Sequence, residues 1–396
     1  MKTKWSRLAL FFAGGASLTA AVPNQELTEL FNKAVMEYND GNYQSAAKTI
    51  DAYLALDSTN YKAWEIQGQA LSHLNDFDRA LTAYTKAIAL GANDTAISSD
   101  GASLWNVYYN RAVLFAETDQ PDNAIKDYTN AISLNPGNNL AYHGRATVFY
   151  KLNQTDMALV DLNKSLTLNN NFAPALNLRG VILQSAGQHS EAIADFSAAI
   201  KIEKKEISNY MNRAASYDAL GKTKEALQDY TTAISLAPNN ADLYYSRGVV
   251  AYNGGDCEAA VRDFSKAIEI NPASADYYSA RGNCMYFLNK FAEAVKDLSH
   301  YLESKPKDDR SLSTRGSALF NLGKYAEAER DFTASIALNP TDAPLYLNRG
   351  QAYLKLDARE KAIADLSKFI TLAKDNPELK AQIETAKKQI EYLKNK

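Results

Sequence analysis

Arginine recurs every 34 residues, at Arg111, Arg145, Arg179, Arg213, Arg247, Arg281, Arg315 and Arg349, and an aspartate follows each one 16 residues later. The partners are Asp127, Asp161, Asp195, Asp229, Asp263, Asp297, Asp331 and Asp365, so one spacing governs residues 105–376, eight stretches of 34. Such a chain is an array of like pieces. Its function must be carried by the array, because no local catalytic motif stands out from it.

Each piece carries two apolar stripes. Apolar or small residues fall on the fourth, eighth and eleventh places, as in Tyr346, Gly350 and Tyr353, which is one face of a helix. A turn follows, often with glycine, as at Gly187, Gly221, Gly255 and Gly323. A second run has Ala at the twentieth place, an aromatic residue or Leu at the twenty-fourth and usually a small residue at the twenty-seventh, as in Ala226, Tyr230 and Ala233. Pro136, Pro238, Pro272, Pro306 and Pro340 close several pieces, where the missing amide hydrogen stops a helix. Each piece therefore reads as a helical hairpin. Most tyrosines, among them Tyr128, Tyr210, Tyr217, Tyr230, Tyr244, Tyr278 and Tyr346, fall on packing places and read as hairpin glue.

The period and the small, aromatic and proline positions resemble the tetratricopeptide repeat. The register finds two more repeats upstream, 27–60 with Leu30, Ala34, Gly41 and Ala46, and 61–94 with Trp64, Gly68, Leu71, Ala80 and Tyr84. The resemblance thus covers residues 27–376, ten repeats, broken only by an inserted loop at 95–104. It implies an all-α fold, a right-handed superhelical solenoid of helix–turn–helix hairpins whose first helices line a concave face that holds peptides. Such a solenoid needs only nearest-neighbour contacts, so 396 residues form one continuous array without a central core. Residues 377–396 read as a C-terminal capping helix: Asp375-Asn376-Pro377 starts it, and Leu379, Ile383, Ala386, Ile390 and Leu393 form its apolar stripe. A docking helix for a second protein or an anionic lipid is the other reading of that segment.

Residues 1–21 stand outside the array and read as a signal peptide. Lys2, Lys4 and Arg7 make a basic start, Leu8 to Leu18 an apolar stretch, and Thr19-Ala20-Ala21 a small-residue cleavage site. The stretch is too short for a membrane span, which takes about 20 apolar residues, and no cysteine lies beside the cleavage site to accept a lipid. The expected result is an exported protein, periplasmic or secreted, with no membrane span of its own. Cleavage removes three positive charges and no negative ones, so the formal balance of −3 becomes −6. Basic and acidic residues are interspersed outside the C-terminal helix, which argues against nucleic acid as a partner.

The arginine–aspartate ladder has two readings. Bidentate pairs that fix the register of hairpins are one, and a basic groove for acidic ligands is the other; the fixed spacing and the small residue after each arginine favour the first. The first two repeats lack the pair, carrying Lys33 with Thr49 and Gln67 with Ala83, and with the insertion this marks them as a subdomain able to move separately. Equal hydrogen-exchange protection on both sides of residues 95–104 would count against that. Cys257 and Cys284 sit where neighbouring helices bring their ends together, and read either as a disulfide or as two buried thiols. Intact mass of the unreduced protein tells these apart: two free thiols remove the disulfide.

The second, fifth, ninth and twelfth places of the first helices form a stripe beside the packing stripe. It contains Tyr109, His143, Thr147, Tyr150, Asn177, Gln184, Met211, Asp218, Tyr245, Tyr252, Asn283, Tyr286 and Phe320. Aromatic rings and amides suit an extended peptide and also a carbohydrate. The Lys, Asn and Arg clamp with which some members of the family hold a C-terminal carboxylate is missing from these places. His73, His143, His189 and His300 are scattered over different repeats, and no phosphate loop or nucleophile elbow is present, so no enzyme activity, metal or cofactor is expected. Two functions remain: a scaffold or adaptor for one or more proteins or extended peptides, in the assembly or organisation of envelope or secreted complexes, and an accessory binding protein for glycan or another small polar ligand.

Overall fold

The computed structural model describes residues 25–92 and 104–395. The expected signal peptide and residues 95–103 of the expected loop lie outside the described residues. The described residues form twenty-one α-helices and one 3-10 turn, with no strand among them. They fall into two compact units, the first ending at Asn170 and the second beginning at Asn171.

The first unit holds four hairpins: α1 (Gln25–Asn39) with α2 (Tyr43–Leu56), α3 (Tyr61–His73) with α4 (Phe77–Gly91), α5 (Trp105–Glu117) with α6 (Pro121–Leu134), and α7 (Asn139–Lys151) with α8 (Thr155–Leu168). The second holds six. They are α9 (Ala173–Ser185) with α10 (His189–Ile202), α11 (Ile207–Ala219) with α12 (Thr223–Leu236), and α13 (Ala241–Asn253) with α14 (Cys257–Ile270). Then come α15 (Ala275–Phe287) with α16 (Phe291–Ser304), α17 (Asp309–Asn321) with α18 (Tyr325–Leu338), and α19 (Ala343–Lys355) with α20 (Arg359–Ala373). A 3-10 turn, Pro377–Leu379, leads into α21 (Lys380–Asn395). Within each unit a helix packs on its hairpin partner and on the hairpin that follows, which is the stacking that a repeat array requires.

Two local rules of sequence build every hairpin. The bend between its helices puts the fifteenth residue of the repeat in the left-handed region, with φ between +53° and +86°, from Gly41 to Asp357. Glycine adopts this conformation without strain, as at Gly255, and Asn or Asp tolerates it through its short polar side chain, as at Asn289 and Asp357. The second rule concerns packing. The twenty-fourth residue enters the space beside a small residue of the first helix: a Cβ on Gly180 would lie 2.7 Å from Phe196 Cε1, and one on Gly248 would lie 2.7 Å from Phe264 Cε1. Phe196, Phe264 and Phe332 at that place, and Phe369 at the twenty-seventh, are among the largest fully buried side chains, each stabilising its hairpin by roughly 2–3 kcal/mol of apolar burial.

Helix ends follow the signals expected of them. α6, α12, α14, α16 and α18 stop two residues before Pro136, Pro238, Pro272, Pro306 and Pro340. Asn138 Oδ1 caps α7 by accepting from Leu140 N at 2.8 Å, and Asp308 Oδ2 caps α17 by accepting from Ser311 N at 2.8 Å.

In the first unit α4 and α5 pack together although residues 93–103 intervene. Tyr61, Leu71, Tyr84, Leu104, Val107 and Leu114 share one apolar cluster. At the other end, Ile383 and Ala386 of α21 are buried with Phe369 and Ala373 of α20, with Leu379 and Ile390 partly buried beside them. α21 thereby covers the apolar face of the last hairpin. Asn376 starts the segment, its side chain accepting from Glu378 N at 3.0 Å.

Candidate functional site

The ladder residues form a three-way clamp. In all eight pairs the guanidinium donates twice to its own aspartate, Nε to Oδ2 and Nη2 to Oδ1; Arg213 to Asp229 shows both bonds at 2.7 Å. At the seven junctions inside a compact unit that carry an arginine, Nη1 also donates to a hydroxyl at the twenty-fifth place of the preceding repeat: Thr85, Thr129, Ser197, Thr231, Ser265, Ser299 or Thr333, at 2.9–3.1 Å. Before Arg179 the sequence carries Asn163 at that place.

The four threonines among these hydroxyls donate in turn, Thr85, Thr129 and Thr231 to the carbonyls of Leu81, Ile125 and Leu227 and Thr333 to Glu329 Oε1. Six of the arginines also lie over tyrosine rings, Arg213 at 5.9 Å from both Tyr210 and Tyr217. The hydrogen bond that Arg213 donates to Asp229 raises the pKa of Arg213 against the opposing effect of burial, and Asp195, Asp263, Asp297 and Asp365 act likewise as acceptors for Arg179, Arg247, Arg281 and Arg349. With fork, hydroxyl and ring contacts taken up inside the array, these arginines have little left to offer an acidic ligand. A recess of about 350 Å³ beside α5 and α6 is lined by Arg111 and Asp127 themselves, together with Tyr108, Phe115 and Lys126.

The earliest repeats keep the same register with other groups. Gln67 stands where the arginine would be and donates to Asp51, which occupies the twenty-fifth place of the repeat before it. Thr49 donates to Glu37 Oε2 at 2.7 Å.

The stripe of the first helices divides into packing and open residues. Tyr109 stands edge-on to Tyr128 with ring centroids 5.9 Å apart, and burial raises its pKa. Tyr245 rests on Tyr277 at 5.1 Å and Phe264 at 5.6 Å. Both rings are therefore largely structural. His143, Thr147 and Tyr150 of α7 are half-buried, as are Met211 and Asp218 of α11.

The three stripe amides spend their donors inside the protein. Asn177 donates to Asn209 Oδ1, Gln184 to Asn212 O at 2.8 Å and to Ser216 Oγ at 2.9 Å, and Asn283 to Ser279 O at 2.9 Å. Half-buried rings gather where first helices end and second helices begin, around the exposed Phe287. Tyr252 meets Phe287 at 6.1 Å, Phe287 meets Tyr286 at 5.7 Å, and Tyr286 meets Phe291 at 5.8 Å, while Phe320 meets Tyr325 at 5.2 Å. Phe287 is 59% exposed. It sits at the thirteenth place, outside the stripe, and was legible only as the one aromatic residue that any repeat from 27 to 376 carries there.

Tetratricopeptide-repeat family models match residues 31–95, 105–138, 173–206, 250–309 and 343–376, and one described as TPR repeat matches 216–254 and 316–357. The chain is a tetratricopeptide-repeat (TPR) protein. TPR proteins mediate protein–protein interactions. No curated protein sequence matches it. Among solved structures it is similar to YrrB, described as a TPR protein with an unusual peptide-binding site, at 27% identity over 46% of this chain and 93% of that one, with a TM-score of 0.43. It is similar also to the Cut9–Hcn1 hetero-tetramer of the APC/C, at 14% identity over 91% and 90% with a TM-score of 0.46. Pseudomonas aeruginosa pilF is a third, at 17% identity over 56% and 96% with a TM-score of 0.45.

Other chemistry in this TPR array is sparse. Cys257 at the start of α14 and Cys284 in α15 meet in one apolar cluster as free thiols. Burial, then the neighbouring Cys257, pushes the Cys284 thiol up to about 12. Among the described residues no three His, Cys, Asp or Glu side chains gather as a metal site, and no helix is long and apolar enough to cross a membrane. His73 stacks on Tyr43 at 4.0 Å, and burial lowers its pKa. His300 lies 4.1 Å from the Tyr278 ring.

Glu65, on α3, is the one acid of the first helices that burial strongly perturbs. Desolvation pushes it from 4.5 up to about 7 against the opposing pull of Lys62 and the hydrogen bond from Asn106. A folded-state pKa above the unfolded value means that this carboxyl favours folding below about pH 4.5 and loses that contribution as pH rises through 7.

Proposed function

We propose that this TPR protein is an exported scaffold or adaptor that holds a protein or an extended peptide along its first helices, in the organisation of envelope or secreted complexes. The observation that carries the reading is the run of rings Tyr252, Phe287, Tyr286 and Phe291, with Phe287 open to solvent although 34-residue packing does not require an aromatic residue there. Exposed rings supply large contact area at low entropic cost and anchor protein interfaces. The glycan reading asks more of the amides. Because Asn177, Gln184 and Asn283 donate inside the array, the face offers rings more than polar donors, which suits peptide side chains better than sugar hydroxyls.

Export rests on the basic start, apolar stretch and small-residue site of residues 1–21. Amino-terminal sequencing of the native protein tests it: a mature chain beginning at or near Val22 supports export, and one that retains Lys2 rejects it.

The groove is tested with Tyr252→Ala plus Phe287→Ala, compared with the unaltered chain in capture from native envelope. Tyr245 is a poor target because it supports Phe264 and Tyr277. The double variant is expected to stay folded, its melting temperature lowered only by the part of Tyr252 that packs on the Phe264 cluster, and to lose at least tenfold in the yield of its protein partner. Undiminished capture of every partner would reject the face.

A further inference from the structure

We infer that the surface around Glu65 in the first compact unit binds a primary ammonium group, carried by a lysine side chain or a peptide amino terminus. The inference rests on the reading above that the first helices hold a peptide, and gives that reading a specific ligand chemistry within the first compact unit.

Two oxygens of the hydrogen-bonded side chains Glu65 and Gln69 receive no donor among the described residues. Glu65 Oε1 accepts from Gln69 Nε2 at 3.2 Å and from Asn106 Nδ2, whereas Oε2 receives no hydrogen bond among the described residues. Gln69 is 6% exposed, and its Oε1, on the same amide that holds Glu65, is buried without a partner. A buried acceptor without a donor is costly, and one beside a carboxylate calls for a donor that also brings positive charge. Glu65 itself keeps partial access to solvent, so a group can reach it from outside.

The surroundings supply no such donor. Tyr38 from α1 and Tyr84 from α4 face the carboxyl electrostatically, and Asn106 reaches it from α5. Lys62, one turn back on α3, is the cation that acts on it, but makes no ion pair with it among the described residues. An ammonium has three donors on a compact charge: one serves Glu65 Oε2 from the solvent side, and another serves Gln69 Oε1 where binding opens the side chains that cover it. A guanidinium fork fits worse, because it seeks both oxygens of one carboxylate and Oε1 already accepts twice. The perturbed carboxyl adds a signature: only its ionised form binds, so with an acid constant near 7 affinity falls about tenfold between pH 8 and pH 6.

The probes are three pentapeptides titrated into the full chain while the Glu65 carboxyl is followed by carbon NMR. One is capped at both ends with a central lysine, the second is the same with acetyl-lysine, and the third is pentaglycine amide with a free amino terminus. The lysine peptide is expected to move the Glu65 resonance, to bind about tenfold more weakly at pH 6 than at pH 8, and to lose binding in Glu65→Gln. Gln69→Met, which keeps the carboxylate but removes both the unpartnered oxygen and the Nε2 bond to Glu65 Oε1, is expected to weaken it several-fold.

Binding of the pentaglycine amide alone assigns the site to amino termini, and binding of the capped lysine peptide alone assigns it to lysine side chains. Equal binding of the lysine and acetyl-lysine peptides, or no perturbation of Glu65 by any probe, overturns the inference. Because Tyr252 and Phe287 belong to the second compact unit, partner capture through them can succeed while these titrations fail, and the two readings fall separately.

Discussion

Asp229→Ala is expected to lower the unfolding free energy by about 3 kcal/mol, the scale of breaking a buried ion pair. Asp229 is 5% exposed and accepts both Nε and Nη2 of Arg213. Its removal strands a guanidinium whose side chain is only 18% exposed, held between Tyr210 and Tyr217. The loss also loosens the Nη1 bond to Ser197, which joins this hairpin to the one before it. Arg213→Met with Asp229→Leu tests what the pair is for. Apolar replacement of both partners leaves no stranded charge, so the double variant is expected to lie within about 1 kcal/mol of the unaltered chain. Urea unfolding followed by far-ultraviolet circular dichroism measures both. Equal losses in the single and double variants would show that the stabilisation is specific to the clamp and is not the avoided cost of an orphaned cation.

Phe264→Ala and Phe287→Ala make the second comparison, the same substitution with opposite results. Phe264 is 1% exposed and packed by Ala251, Ala260 and Cys284 beside Gly248, so truncation leaves a cavity and costs about 3–5 kcal/mol. Phe287 stands mostly in solvent, and its truncation is expected to change stability by no more than about 0.5 kcal/mol. Repeat arrays transmit losses only to neighbours, so Phe264→Ala should also split the urea transition, separating the hairpins around α14 from the rest. A loss of more than about 2 kcal/mol at Phe287 would mean that its ring is a packing residue and would remove it from the proposed binding face.

The fold was legible because its determinants are local and repeated. A small residue at the eighth place, an aromatic residue or Leu at the twenty-fourth and a turn residue at the fifteenth recur until chance is excluded. Even there, Asn75, Asn153 and Asn289 play the part of Gly187 and Gly221 by adopting the same left-handed backbone, an equivalence of conformation that residue names hide.

The clamp was half legible. Sixteen residues separate arginine and aspartate along the chain, and that interval showed. The hydroxyl belongs to the previous repeat and is Ser at some junctions and Thr at others, which obscured it. The binding face was least legible, because stripe membership does not say where a side chain spends its hydrogen bonds. Tyr109, Tyr245 and Gln184 sit on the stripe and serve the array, whereas Phe287 lies off it and is open. Glu65 is one carboxylate among many in the sequence; only the unpartnered Gln69 oxygen beside it sets it apart.

The reach of Arg111 to Thr85 spans 26 residues where every other clamp hydroxyl lies 16 away, and the bond is as short as the rest. A junction of this kind is indifferent to the length of chain that joins its two sides. Since repeats three to ten each offer a guanidinium backward, and all of them but the fourth a hydroxyl forward, most of them can accept one another as neighbours. Tandem copying of a 34-residue segment would lengthen the array without a single new contact having to be invented, and guest sequence could enter between repeats at little structural cost.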